Sequence, residues 1–228
     1  MQINILQRGE EDKAKGLAVV IDVFRAFTTS CYVYNNGVKK IITVGEIELA
    51  YDLKQKNKDY ILMGERNGYI QPGFDYGNSP SVIKDVDFTG KTVILTTSRG
   101  TQGIMSVLNI ADEIITGSFV NVDAIINYIK YRNPEYVSLV CTGVANELSP
   151  DEDTACAVYI KNGLLNKVND FSKIKQHLKE QGYTDMFFDP DIKSHPEGDL
   201  QSCLDLNKFN FVLRVKKEND LLCLEKVI

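Results

Sequence analysis

Arg25, Arg66 and Arg99, three of the six arginines in this chain, each stand just beyond an apolar, strand-like run: Leu17 to Ile21, Tyr60 to Met63 and Val93 to Leu95. An arginine offers a rigid fork of donors that matches carboxylate, phosphate or sulfonate oxygens, and its charge survives burial. The carboxyl ends of the strands in an open α/β sheet converge on one crevice, where residues far apart in sequence face a single ligand. This spacing therefore points to capture of a small, multiply charged anion. Arginines at strand ends also make ordinary salt bridges. What sets these three apart is their company: Asp22, Thr28 and Thr29 around Arg25, Gly64 and Glu65 before Arg66, and Thr96, Thr97, Ser98, Gly100 and Thr101 around Arg99.

Asp22 closes one strand and opens a helix, where an α/β enzyme places a metal-binding or nucleophilic carboxylate and where a simple helix cap also belongs. A phosphatase of the haloacid dehalogenase type begins with a similar strand, but needs a second acid two residues on, where this chain has Phe24. The run Thr96 to Thr101 combines hydroxyls, a glycine and the first N–H groups of a following helix, a natural cradle for an oxyanion. It lacks the lysine and the spacing of a nucleotide P-loop. Ser149-Pro150-Asp151-Glu152-Asp153 reads as a capping box, which explains Glu152 without chemistry. Asp153 is left over, and with Asp22 and Glu65 it can supply oxygens to Mg²⁺, an ion that takes few protein carboxylates, several waters and a substrate phosphate. Gly77-Asn78-Ser79-Pro80 has the composition of a turn, and His195 is a lone loop histidine that could act as an acid or base.

The elements that must position these residues follow from periodicity. Strand-length apolar runs alternate with helical stretches, with strands expected at 17–22, 39–44, 60–63, 92–96, 113–116 and 136–141. Helices are expected between them at 26–36, 46–56, 101–110, 122–131 and 150–162. Gly37 falls at a helix C-cap and Asn121 at an N-cap. The alternation predicts a three-layer α/β/α fold with a mainly parallel or mixed sheet. The long connection from Glu65 to Gly90 is expected to be functional, and its aromatic residues argue against disorder. Beyond residue 165 the pattern weakens to a polar helix at 172–181, a short helix at 199–204 and strands at 209–215 and 221–224. One α/β domain over 1–228 is expected, with a lobe boundary, if there is one, near 165.

Composition narrows the function. With 228 residues, 43% hydrophobic and 25% charged, the chain reads as globular, and its net charge of −5 without a basic stripe excludes a general nucleic-acid binder. No apolar run approaches the roughly 20 residues needed to cross a bilayer, and the first residues lack a signal-peptide pattern, so no membrane role and a cytoplasmic location are expected. The five cysteines form no Cys-x-x-Cys pair and read as reduced, mostly buried thiols. A homodimer is expected only because it is the commonest assembly.

Taken in order, several segments resemble the 2-phosphosulfolactate phosphatase family of coenzyme M biosynthesis. They are Val19-Val20-Ile21-Asp22-Val23-Phe24-Arg25-Ala26-Phe27-Thr28-Thr29, Gly64-Glu65-Arg66, Pro72 to Pro80, the Thr-rich loop to Gly100-Thr101, Gly117 to Asn121, Cys141-Thr142-Gly143 and the acids at 151–153. The family loop usually reads Thr-Thr-Asn-Gly-Thr, whereas here Thr97-Ser98-Arg99-Gly100-Thr101 brings an added cation. The C-terminal third matches loosely, around Gly198-Asp199-Leu200 and Cys203. The resemblance implies Mg²⁺-dependent hydrolysis of the phosphate ester of a three-carbon sulfonated acid. Asp22 and Arg25 would be catalytic, and Arg25, Thr28, Thr29, Arg66, Asn78, Ser79, Thr97, Ser98, Arg99, Gly100 and Thr101 would bind substrate. Asp22, Glu65 and Asp153 would hold the metal. The attacking group would be water or Asp22 itself, the latter forming an acyl-phosphate. Two other readings stay open: a phosphatase of another small phospho-acid, and a non-catalytic small-anion-binding module.

Overall fold

The computed structural model describes residues 1–143, 151–192 and 194–227. Its strands are β1 (Gln2–Leu6), β2 (Leu17–Ile21), β3 (Lys40–Thr43), β4 (Ile61–Gly64), β5 (Thr92–Thr96), β6 (Glu113–Gly117), β7 (Tyr136–Cys141), β8 (Val212–Glu218) and β9 (Leu221–Val227). Its helices are α1 (Ala26–Asn35), α2 (Ile47–Lys56), α3 (Pro80–Ile83), α4 (Gly100–Val107), α5 (Val122–Arg132), α6 (Glu152–Leu164), α7 (Phe171–Glu180) and α8 (Glu197–Cys203). The fold is α/β around one mixed sheet of nine strands, and the six strands expected from periodicity agree with β2 to β7 to within one residue at each end. β1 was not expected, because a half-exposed edge strand reading Gln-Ile-Asn-Ile-Leu alternates with polar residues and does not stand out as an apolar run. The start expected for α6 at Pro150, with Ser149 as its cap, lies outside the described residues. Within them the N-cap is Asp151, whose side chain accepts from the Thr154 N–H.

The sheet runs β1–β7–β2–β6–β8–β9–β3–β5–β4. Two parallel blocks, β1–β7–β2–β6 and β3–β5–β4, are joined by the antiparallel hairpin β8–β9, which pairs with β6 on one side and β3 on the other. β2 is buried along its whole length and its residues alternate between two cores, as a pleated strand requires. Leu17, Val19 and Ile21 pack with Ile125 and Ile129 of α5 and Ile160 of α6. Ala18 and Val20 face Phe27 and Cys31 of α1 and Ile104 of α4, in a core that also takes Ile41 of β3, Val93 and Leu95 of β5 and Leu213 of β8. The sheet thus curls around α1, which is buried from Ala26 to Val33 and apolar enough to occupy an interior. A third core, under α2, joins Ala50 and Leu53 to Ile42, Leu62 and Ile94.

The curl brings strand ends together. Each strand pair adds a right-handed twist of roughly 20–25°, and over the neighbours from β2 to β5 this swings the second block until α4 lies on β2. A Cβ on Gly103 would stand 2.8 Å from Val20. The connection after β4 is tightly folded: Tyr76 bridges to Met63, the Asp75 carboxylate accepts the Leu62 N–H, and Arg66 and Tyr69 close a turn before α3. Gly64, with φ +138° and the Thr96 carbonyl 1.8 Å from where its Cβ would be, is a position only glycine fills.

Candidate active site

Asp22 directly follows β2 and is not the N-cap of α1, a position Arg25 holds, but its Oδ1 accepts the Ala26 N–H at 3.0 Å and so caps the helix entry from three residues earlier. The cap uses one oxygen. Oδ2 lies at the start of α4, where a Cβ on Gly100 would be 2.8 Å from it and 2.7 Å from Ala26 Cβ. Glu65, just past β4, receives the Ser98 N–H and the Ser98 hydroxyl at 2.7 and 2.9 Å and the Gly68 N–H at 2.6 Å, which clamps the loops after β4 and β5 to each other.

These ends enclose a cavity of about 380 Å³ lined by Asp22, Arg25, Glu65, Asn78, Ser98 and Arg99, all singled out by the sequence. The sequence reading did not select Phe24, Asn67, Gly68, Glu152 and Met186, which line it too, and His195, read only as an isolated acid or base, is also there. Glu152 was masked by its place in a capping pattern. A neighbouring cavity of about 490 Å³ shares Ser98 and Arg99 and adds Arg8, Gln102 and Thr142, so Arg99 stands between the two.

The other selected residues support the walls rather than line the cavity. Arg66 donates to the carbonyls of Glu65 and Gly45 and to the Thr96 hydroxyl. Thr28 donates to the Val23 carbonyl and pairs with Ser118, while Thr97 and Thr101 bond each other and Ser79 bonds Asp199. Thr29 is fully buried with an unpartnered hydroxyl, and Gly100 seats Asp22. Asp153 accepts the Val23 N–H on one oxygen and the Thr142 N–H and hydroxyl on the other, so it ties the end of β2 to the end of β7. Asn121 sits at the N-cap of α5 as expected, but its side chain bonds the Ser118 N–H and the Phe211 carbonyl instead.

The electrostatics follow from burying several acids together. Burial pushes the Asp22 carboxyl up to about 6, with Glu65 adding to the rise and the Ala26 N–H, Arg99 and Arg25 opposing it. Glu152 is pushed up to about 8 by burial, then by Asp151 and Asp22. Burial also raises Asp153, helped by Glu152, Asp22 and Asp151 and opposed by the Val23 N–H. Burial and then Arg25 lower His195 to about 4, so its ring is neutral near pH 7. Its Nδ1 lies 2.9 Å from the Ser194 hydroxyl. Asn78 is buried with its amide Oδ1 unpartnered, which leaves a polar atom for a ligand.

The donor set suits a divalent cation of the Mg²⁺ kind, which needs only one or two protein carboxylates. No group of three or more His, Cys, Asp or Glu side chains forms a metal cage among the described residues. Asp22 and Glu152 line the same cavity, and Asp22 helps to raise the Glu152 pKa, a repulsion that a bound cation would relieve. All five cysteines are buried free thiols, as expected.

A polar, mixed-charge crevice at converging strand ends is where an α/β protein binds a small ligand. Among the described residues no helix is long and apolar enough to cross a membrane. The family model for 2-phosphosulpholactate phosphatase matches residues 3–218, and the chain belongs to that family. It is 32% identical over 212 residues to the probable 2-phosphosulfolactate phosphatase of Bacillus subtilis, covering 92% of this chain and 91% of that one. It is 33% identical over 234 residues to the protein of the same name from Caldanaerobacter subterraneus subsp. tengcongensis, covering 91% and 90%. It is 37% identical over 153 residues to that from Thermotoga maritima, covering 67% and 65%.

Proposed function

We propose that this protein hydrolyses 2-phosphosulfolactate to 3-sulfolactate and phosphate in a Mg²⁺-dependent reaction in the cavity between Asp22, Arg25, Glu152 and Arg99. The observation that carries this reading is the pairing of two arginines with buried carboxylates on one cavity of about 380 Å³, in a chain of this family. Carboxylates alone would repel a multiply charged anion, and arginines alone would need no buried acids beside them.

Arg25 and Arg99 hold the phosphate, carboxylate and sulfonate oxygens, while the unpartnered Asn78 Oδ1, an acceptor, meets a hydroxyl donor or a cation. The substrate brings about two negative charges on the phosphate and one on each of its other acidic groups. Asp22 and Glu152 would hold Mg²⁺, with Glu65 close by. When bound, the ion would supply charge stabilisation at the phosphoryl oxygens. Asp153 fixes the loop that carries Asp22. His195, being neutral, serves as a hydrogen-bond partner rather than as a cation. In-line phosphoryl transfer requires mainly positioning and charge stabilisation, which these groups provide. The nucleophile is water or the Asp22 carboxylate, and an acyl-phosphate trapped with hydroxylamine would assign it to Asp22.

The test is phosphate release from 2-phosphosulfolactate with Mg²⁺ and with a chelator, beside phospholactate and phosphoglycolate. Metal-dependent release selective for the sulfonated ester is expected. Equal release from all three would identify a broader phosphatase of small phospho-acids, and no release would favour an anion-binding module.

A further inference from the structure

Asp199 lies in α8, is completely buried, and is not among the residues that line the cavity. Its two oxygens are nonetheless bonded to the elements that form it. Oδ2 accepts from Arg25 Nη1 at 2.9 Å, and the same nitrogen donates to the Ser194 carbonyl at 2.7 Å. Oδ1 accepts the Ser79 hydroxyl at 2.6 Å, the Ser81 N–H at 3.0 Å and the Ser81 hydroxyl at 2.6 Å. Ser79 directly follows Asn78, which lines the cavity with its Oδ1 unpartnered. One carboxylate thus grips, from behind, both the arginine and the turn that offers the amide.

Arg25 is 3% exposed, and among the described residues its hydrogen bonds run through Nη1 alone. Both Nη1 protons are spent, which leaves Nε and Nη2 as the donor edge for a ligand. A buried ion pair is weak evidence of stabilisation, since apolar side chains of like volume often do as well. A guanidinium held by one nitrogen with its other edge on a cavity is what orientation requires. We propose that Asp199 is the positioning residue for Arg25: it fixes the guanidinium through Nη1 so that Nε and Nη2 face the anion, and it sets the Asn78 turn beside them. This rests on the reading of the cavity as the anion site.

The experiment measures inorganic phosphate affinity by calorimetry, separately from ester turnover, for the wild type, Asp199→Asn, Asp199→Glu, Arg25→Gln and the double variant Arg25→Gln with Asp199→Asn. An asparagine keeps an acceptor for Ser79 and Ser81 but turns an amide NH₂ toward Nη1, where two donors cannot bond. Asp199→Asn is expected to weaken phosphate binding about 10-fold or more and to raise KM more than it lowers kcat. Asp199→Glu, which keeps the charge, should retain more affinity than Asp199→Asn. In the Arg25→Gln background Asp199→Asn should add nothing, because a residue that acts through Arg25 has no further effect once Arg25 is gone. Wild-type affinity in Asp199→Asn, additive losses in the double variant, or no phosphate binding by the wild type would each overturn the proposal. Loss of cooperative unfolding in both Asp199 variants would also overturn it, by making the residue a requirement of the fold. A wild type that binds phosphate but hydrolyses no ester would sink the proposed reaction and leave this inference standing.

Discussion

At the scale of single residues, the cavity depends on carboxyl groups held where water is scarce. Asp22 offers one oxygen to α1 and turns the other toward α4, so Asp22→Asn is expected to fold and to lose turnover by about 10³-fold or more. Near-normal phosphate release in that variant would remove Asp22 from the mechanism. Asp22 and Glu152 bind their protons more tightly in the folded protein than in the unfolded chain. Their contribution to stability is therefore complete below the ordinary carboxylate range and is lost as pH rises through about 6 and about 8. Without divalent cations the thermal midpoint should fall between about pH 6.5 and pH 8, above the range in which the lowered pKa of His195 acts in the opposite sense, and Glu152→Gln should flatten that fall. A midpoint that climbs over this range would contradict the burial of Glu152. Much of this was legible in sequence, because Asp22, Arg25, Glu65, Ser98 and Arg99 are polar residues placed where strands end. Glu152 was hidden because acids in a first helical turn have an ordinary explanation. Asp199 fell in a loosely matching segment, and its role was hidden because its partners, Arg25 and Ser79, lie more than a hundred residues away in sequence.

At the scale of elements, two glycines decide whether α4 and β4 can take their places. Gly100 lets the start of α4 rest on Ala26 and Asp22, and Gly100→Ala should displace the Asp22 carboxylate and cost about 10- to 100-fold in kcat/KM, with a smaller loss of stability. Unchanged kinetics would mean that α4 can shift without disturbing Asp22. Gly64→Ala places a Cβ against the Thr96 carbonyl at an unfavourable φ, and a loss above about 3 kcal/mol in denaturant unfolding is expected. A loss below about 1 kcal/mol would show that β4 can part from β5 at that point. The strands from β2 to β7 were readable because buried strands of a parallel block are short, continuous apolar runs. β1 escaped because, at an edge, Gln2 and Asn4 face outward and break that pattern.

At the scale of the whole molecule, the sheet is the organising object, and its middle comes from the last strands in the sequence. Periodicity predicted strands in the last third, but it carries no record of which strand a segment pairs with. The placement of β8 and β9 between β6 and β3 was therefore not readable. Because the hairpin joins both parallel blocks and Leu213 is fully buried in their shared core, unfolding in urea followed by far-UV dichroism and by tyrosine fluorescence should give coincident transitions. Leu213→Ala should shift the whole curve by about 2–5 kcal/mol; a shift confined to one probe would show that the blocks melt apart. The position of β8 and β9 has a further consequence for biosynthesis. A ribosome makes residues 212–227 after β1 to β7, so β6 and β3 emerge as open edges and wait for partners still being translated. Growing chains of this protein should need protection from edge-to-edge association until the final two strands leave the exit tunnel.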